Sequence, residues 1–115
     1  MKIEIRGRSK LPDHLRAHVE RRVRFALSRF GSRIQRVTVR VSDLNGPRGG
    51  VDQQCRVVAH LGALGQLTVE SVDGNMSAAV DRAADRIGRS VARTIERSRH
   101  AWSASASVAA ERGDR

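Results

Sequence analysis

Apolar and polar positions alternate at the start of the chain. Ile3 and Ile5 fall on one side, Lys2, Glu4 and Arg6 on the other, which is the period of a half-buried strand. Residues 7–11 form a turn, and Pro12 suits a first helical turn, where its missing N–H is not needed. Over residues 13–30 the period changes. Leu15, Val19, Val23, Ala26, Leu27 and Phe30 trace one helical face, Asp13 suits the helix dipole and Gly31 is a natural stop. Alternation returns over 34–41 with Val37, Val39 and Val41 on one side and Arg36, Thr38 and Arg40 on the other. It continues over 51–61 through Cys55, Val57 and Ala59, and over 66–72 with Leu67 and Val69 inward. The segment 45–50 is a loop by composition and 62–65 a tight turn.

A second helix is predicted after Asp73 or Asn75, either of which can cap it. Met76, Ala79, Val80, Ala83, Ile87, Val91 and Ile95 give it an apolar seam, and the seam predicts an end near Arg99. The element order is β-α-β-β-β-α. Three successive strands with short links make an antiparallel meander, and two amphipathic helices must bury their seams on one face of the sheet. The predicted architecture is a two-layer α+β domain over residues 1–99, with two helices on a four-stranded sheet. Residues 100–115 are rich in Ser and Ala and lack a sustained seam, so they are expected to form a disordered tail.

Composition narrows the function. The chain of 115 residues fits one domain. Its only aromatic residues are Phe25, Phe30 and Trp102, so the core must be aliphatic. A lone cysteine, Cys55, excludes an intramolecular disulfide and a multi-cysteine zinc site, and fits a reducing compartment, the cytosol. No segment is apolar enough for a signal peptide or a membrane span. Charge is the dominant signal: 22 Lys+Arg stand against 12 Asp+Glu, a net +10. An excess of that size points to a polyanionic partner, and Arg recognises phosphate with two parallel donors and also stacks on bases.

The arginines are placed with helical spacing. Arg82, Arg86, Arg89, Arg93 and Arg97 fall within an arc of roughly 80°, about 120° from the seam, so they face water when the seam faces the sheet. Asp81 has no basic partner four residues on, whereas Asp85 can reach Arg82 or Arg89 and Glu96 can reach Arg93. The first helix adds Arg21, Arg22 and Arg29 on its outer face, with Arg16 at the edge of its seam. Together the helices make one broad basic surface, and paired reversal of Arg86 and Arg93 to Glu is the variant that tests it.

Other chemistry is weak. His14 and His18 stand one turn apart, but lack the H-E-x-x-H order of a zinc protease and have arginines around them; they read as solvated histidines. Cys55 reads as a buried structural thiol. The run Gly46-Pro47-Arg48-Gly49-Gly50 matches neither phosphate-loop pattern. With no carboxylate pair, triad or metal cluster, no enzyme, cofactor, metal or small-molecule substrate is expected.

The order and spacing of these residues resemble the ribosome-associated hibernation factors, of the RaiA and hibernation promoting factor type. The resemblance runs from Lys2 to about Arg99. It is carried by Gly7, by Leu15, Val19, Val23, Leu27 and Phe30, by Ile34, Val37 and Val39, and by Asn75-Met76, Ala79-Val80-Asp81 and Asp85 in the second helix. Ser77 departs from the aromatic residue common in that family. The resemblance implies a stress-response protein that binds the small ribosomal subunit, contacts ribosomal RNA through Arg16, Arg21, Arg22, Arg29, Arg82, Arg86, Arg89, Arg93 and Arg97, and inhibits translation on idle ribosomes. Two alternatives are a general double-stranded RNA binder, since such domains use an α-β-β-β-α order, and a module for an acidic protein partner. The oligomeric state is open.

Overall fold

The computed structural model describes residues 1–7, 11–43 and 52–112, with side chains described as far as Arg99. The Gly-rich run at 45–50 with Arg48, most of the turn at 8–10, and the side chain of Trp102 lie outside the described residues. The order is β1 (Lys2–Gly7), α1 (Asp13–Leu27), β2 (Arg36–Asp43), β3 (Gln53–His60), β4 (Gln66–Asp73) and α2 (Met76–Arg112). The sheet order is β1-β2-β3-β4. The expected two-layer α+β architecture is therefore present.

Strand directions follow from the links. The α1 crossover lets β1 and β2 run parallel, and the short links make β2-β3-β4 antiparallel. Register puts the apolar residues of successive strands side by side: Ile3 beside Val37, Ala59 and Leu67, and Ile5 beside Val39, Val57 and Val69. These rows meet Val19, Val23 and Leu27 of α1 and Val80, Ala83, Ile87, Val91 and Ile95 of α2 in one aliphatic core. The other face of the sheet carries Arg36, Arg40 and Arg56, all exposed.

α1 ends at Leu27, three residues before the expected stop, and the chain tightens into a 310 segment, Ser28–Arg33. Gly31 provides the bend, with φ 57°, a backbone conformation that side chains disfavour. Phe30 still packs against the core, so the seam outlives the α-helix. At the start of α2, Asn75 is the cap: its Oδ1 accepts the Ala78 N–H at 3.1 Å. The α2 backbone is helical to Arg112, beyond the Arg99 end expected from the seam. After Gly88 no Pro or Gly interrupts residues 89–112, and the Ala-rich composition favours helix even without a seam to bury.

The helices approach closely at Gly88, where an added Cβ would lie 3.3 Å from the Ala26 carbonyl oxygen. Gly88 and Ala84, both buried, widen the seam beyond the large residues visible in the sequence. Cys55 is fully buried, and burial pushes its thiol up to about 12. At pH 8 the thiolate is scarce in the folded state, so labelling by a thiol reagent should track the unfolded fraction as denaturant is added. Fast labelling of native protein at pH 8 would contradict this placement.

Candidate nucleic-acid interface

The two helices lie side by side on the sheet, so their outer faces form one surface. Its middle is not a row of free cations. Half-buried Arg22 reaches across from α1, donating through Nε to Asp81 Oδ1 at 2.9 Å and through Nη2 to Asp85 Oδ1 at 3.1 Å. His18 Nε2 lies 2.8 Å from the same Asp81 oxygen. Asp81 and Asp85 thus find their partners on the other helix, sixty residues away in sequence, instead of one turn along their own. Of the two expected solvated histidines, His14 is exposed and His18 is part of this bridge.

The first two arginines of the α2 stripe are also engaged. Arg82 donates to the Val72 carbonyl at 3.4 Å and to Asp73 Oδ2 at 3.2 Å. Arg86 donates to the Glu70 carbonyl at 2.7 Å. Both carbonyls belong to β4, one of the two edge strands, so these guanidiniums occupy a sheet edge that would otherwise present unpaired backbone groups. Arg24, flanking the α1 seam, is held by Glu20 one turn back at 3.1 Å.

The remaining expected contacts stay available. Arg16, Arg21, Arg89 and Arg93 are exposed and have no hydrogen bond or ion pair among the described residues. Arg97 donates to Thr94 Oγ1 at 3.4 Å and has no ion pair among the described residues. Arg29 lies over the Phe30 ring, 4.7 Å from its centroid, with no acidic partner among the described residues. The nine arginines therefore divide. Arg22, Arg82 and Arg86 are tied into the fold, while Arg16, Arg21, Arg29, Arg89, Arg93 and Arg97 face outward. The free positive charge lies along α1 and on α2 beyond Arg86.

Three residues outside the expected set belong to this surface. Arg33, from the 310 segment, and Arg99 approach Arg29 around a cleft between the end of α1 and α2. Phe25 is 79% exposed and stands one helical turn from both Arg21 and Arg29 on the basic face. An exposed ring among cations suits base stacking, which tolerates any base. Its signal in the sequence was its position off the α1 seam, which left an aromatic residue with no core to enter.

Among the described residues, no group of three or more His, Cys, Asp or Glu could hold a metal ion, and no helix is long and apolar enough to cross a membrane. What this surface offers is several guanidiniums and two phenyl rings on a two-helix layer, groups whose chemistry suits phosphates and bases.

The fold is shared with known proteins. The N-terminal domain of Protein Y from Thermus thermophilus is 28% identical, with a TM-score of 0.66 over 81% of this chain and 98% of that one. A ribosomal subunit interface protein from Coxiella burnetii shares the fold at 12% identity, with a TM-score of 0.67 over 81% of this chain and 96% of that one. No curated protein matches the chain significantly. Residues 3–99 match the model of the Ribosomal S30AE family, described as sigma 54 modulation protein / S30EA ribosomal protein. The resemblance read from the sequence thus holds, and the chain belongs to the S30AE ribosomal protein family.

Proposed function

We propose that the protein binds the small ribosomal subunit through the arginine-bearing faces of α1 and α2 and so keeps idle ribosomes out of translation. The observation that carries this reading is the group of exposed arginines with no ion pair among the described residues, Arg16 and Arg21 on α1, Arg29 just after it, and Arg89 and Arg93 on α2. A helix face that existed only for solubility would mix signs and pair its charges locally. Here the acidic residues between the helices are used up by Arg22 and His18, and the cations left over are exposed to solvent. Membership of a family described as ribosomal supports RNA of the ribosome as the polyanion.

The proposed binding unit is residues 1–99, with 100–115 as a tail outside it, and the proposed location is the cytosol. The protein acts by occupying a site, and no catalytic step or cofactor is invoked.

Co-sedimentation with purified small ribosomal subunits, at low and near-physiological salt and with excess duplex RNA as competitor, tests this reading. Stoichiometric binding that survives the duplex is the expected result. Binding that the duplex removes would instead mark a general duplex binder, and no binding at either salt would overturn the proposal.

A further inference from the structure

The cleft between the end of α1 and the later turns of α2 has a volume of about 680 Å³ and is lined by Arg29, Phe30, Arg33, Ile95, Glu96 and Arg99. That volume lies in the range of small-ligand pockets, several times the space a single aromatic ring needs. Three guanidiniums face one carboxylate. Arg29, Arg33 and Arg99 have no ion pair among the described residues, so none of them is needed to neutralise a neighbour in the fold. Ile95 is buried at the base, and half-buried Phe30 packs on the core.

Arg29 has a specific posture. Its guanidinium carbon lies over the Phe30 ring, 4.7 Å from the centroid, so this exposed cation stands on a ring packed against the core. A nucleobase stacks on an arginine plane as it does on an aromatic ring, and Arg29, exposed beside the Phe30 ring, is placed to take one. Arg33 and Arg99 supply donors for the phosphates on either side. Glu96 would repel a phosphate, but it accepts a hydrogen bond from a ribose 2′-hydroxyl or an exocyclic amine. A planar cation, two further cations and a single acceptor around an open cleft match the parts of one nucleotide.

We propose that this cleft receives a single unpaired nucleotide of RNA, its base stacked on Arg29 and its flanking phosphates held by Arg33 and Arg99. This inference rests on the ribosomal reading for its biological RNA, but the cleft can be tested without a ribosome. Bases inside a duplex already stack on each other and are not offered to the cleft, so the site distinguishes unpaired RNA from duplex. That preference is absent from a surface that reads only phosphates.

The test uses the full chain and an unpaired oligoribonucleotide of about 12 nucleotides carrying the fluorescent base 2-aminopurine, with a duplex of the same length beside it. Arg29→Lys keeps the charge but loses the plane. It should weaken the unpaired oligomer about tenfold, relieve the quenching of 2-aminopurine, and change duplex binding less than about twofold. Arg33→Ala with Arg99→Ala should lower the salt dependence of single-strand binding by about 1.4 in the slope of log affinity against log salt, the loss of two phosphate contacts. All three residues are exposed, so the variants should fold. Unchanged affinity and quenching in Arg29→Lys would overturn the stacked base. An unchanged slope in the double variant would overturn the phosphate contacts. Small-subunit co-sedimentation of the wild type, run in parallel, separates the two readings. Binding there with no effect of the variants on the oligomer sinks only the cleft, and the reverse pattern sinks only the ribosomal reading.

Discussion

Val80→Asp should abolish the cooperative folding of this domain. Val80 is 1% exposed in the first turns of α2, in a core that also holds Val19, Val23, Val57 and Ile87. No described cation lies in that cluster to receive a carboxylate. Burying an unpaired charge costs on the order of 5 kcal/mol, and a domain of this size has about 5–15 kcal/mol in total. Thermal unfolding followed by circular dichroism should therefore lose its transition, or show one lower by about 20 °C. The same charge at Ser77, exposed in the first turn of the same helix, should change stability by less than about 1 kcal/mol, since it faces water and the positive end of the helix dipole. If Val80→Asp melts like the wild type, the seam of α2 is not what seats it on the sheet.

The largest expected effect on binding comes from reversing Arg89 and Arg93 together. Both are exposed and without a partner among the described residues, so the double Glu variant should keep its stability within about 1 kcal/mol. Small-subunit binding should fall at least a hundredfold, roughly, because two phosphate contacts are lost and two repulsions replace them. The stripe alone suggested Arg86 with Arg93, but Arg86 donates to the Glu70 carbonyl. Reversing it would disturb the β4 edge and confuse binding with stability. The informative control is Arg36→Glu with Arg40→Glu, which makes the same change in net charge on the open face of the sheet, where both are exposed. If the two double variants weaken binding equally, net charge and not the helix face sets affinity, and the proposed interface is wrong.

The two experiments read different parts of one helix. The seam residues of α2 are oriented by burial and its outer arginines by what is left, so a stability defect and a binding defect should separate cleanly by face. Arg22 is the exception. It lies on the basic side in sequence terms, yet bridges Asp81 and Asp85 across the helix pair. Its loss would leave Asp85 without its cross-helix partner and Asp81 with His18 alone, so a weaker complex in an Arg22 variant would say little about RNA.

Much of this protein was legible in its chain. Alternation at Val37, Val39 and Val41 and helical spacing from Met76 to Ile95 report which side of each element is buried, because side-chain direction follows the local backbone period. Asn75 as the α2 cap, Cys55 as a buried thiol and the β-α-β-β-β-α order rest on the same short-range physics. α1 ends three residues before its seam does, because the seam continues to Phe30 while the backbone tightens to turn at Gly31. α2 runs on past its seam, since helix propensity carries the backbone beyond Ile95, the last residue of that seam.

The division of the arginines was not legible. A helical wheel puts Arg22, Arg82 and Arg86 in the same class as Arg21, Arg89 and Arg93, since all lie off the seams. Only the placement of α1 against α2, and of α2 against β4, brings Asp81 and Asp85 to Arg22 and the β4 carbonyls to Arg82 and Arg86. The same placement opens the cleft around Arg29, Arg33 and Arg99, residues as far apart as 70 positions in the chain. By itself the sequence determined the elements, their buried sides and a surface rich in positive charge, because period, capping and composition act over a few residues. The tertiary structure decided which of those charges are spent inside the fold and which remain for a partner, because ion pairing depends on distances of a few ångströms between elements that are remote along the chain.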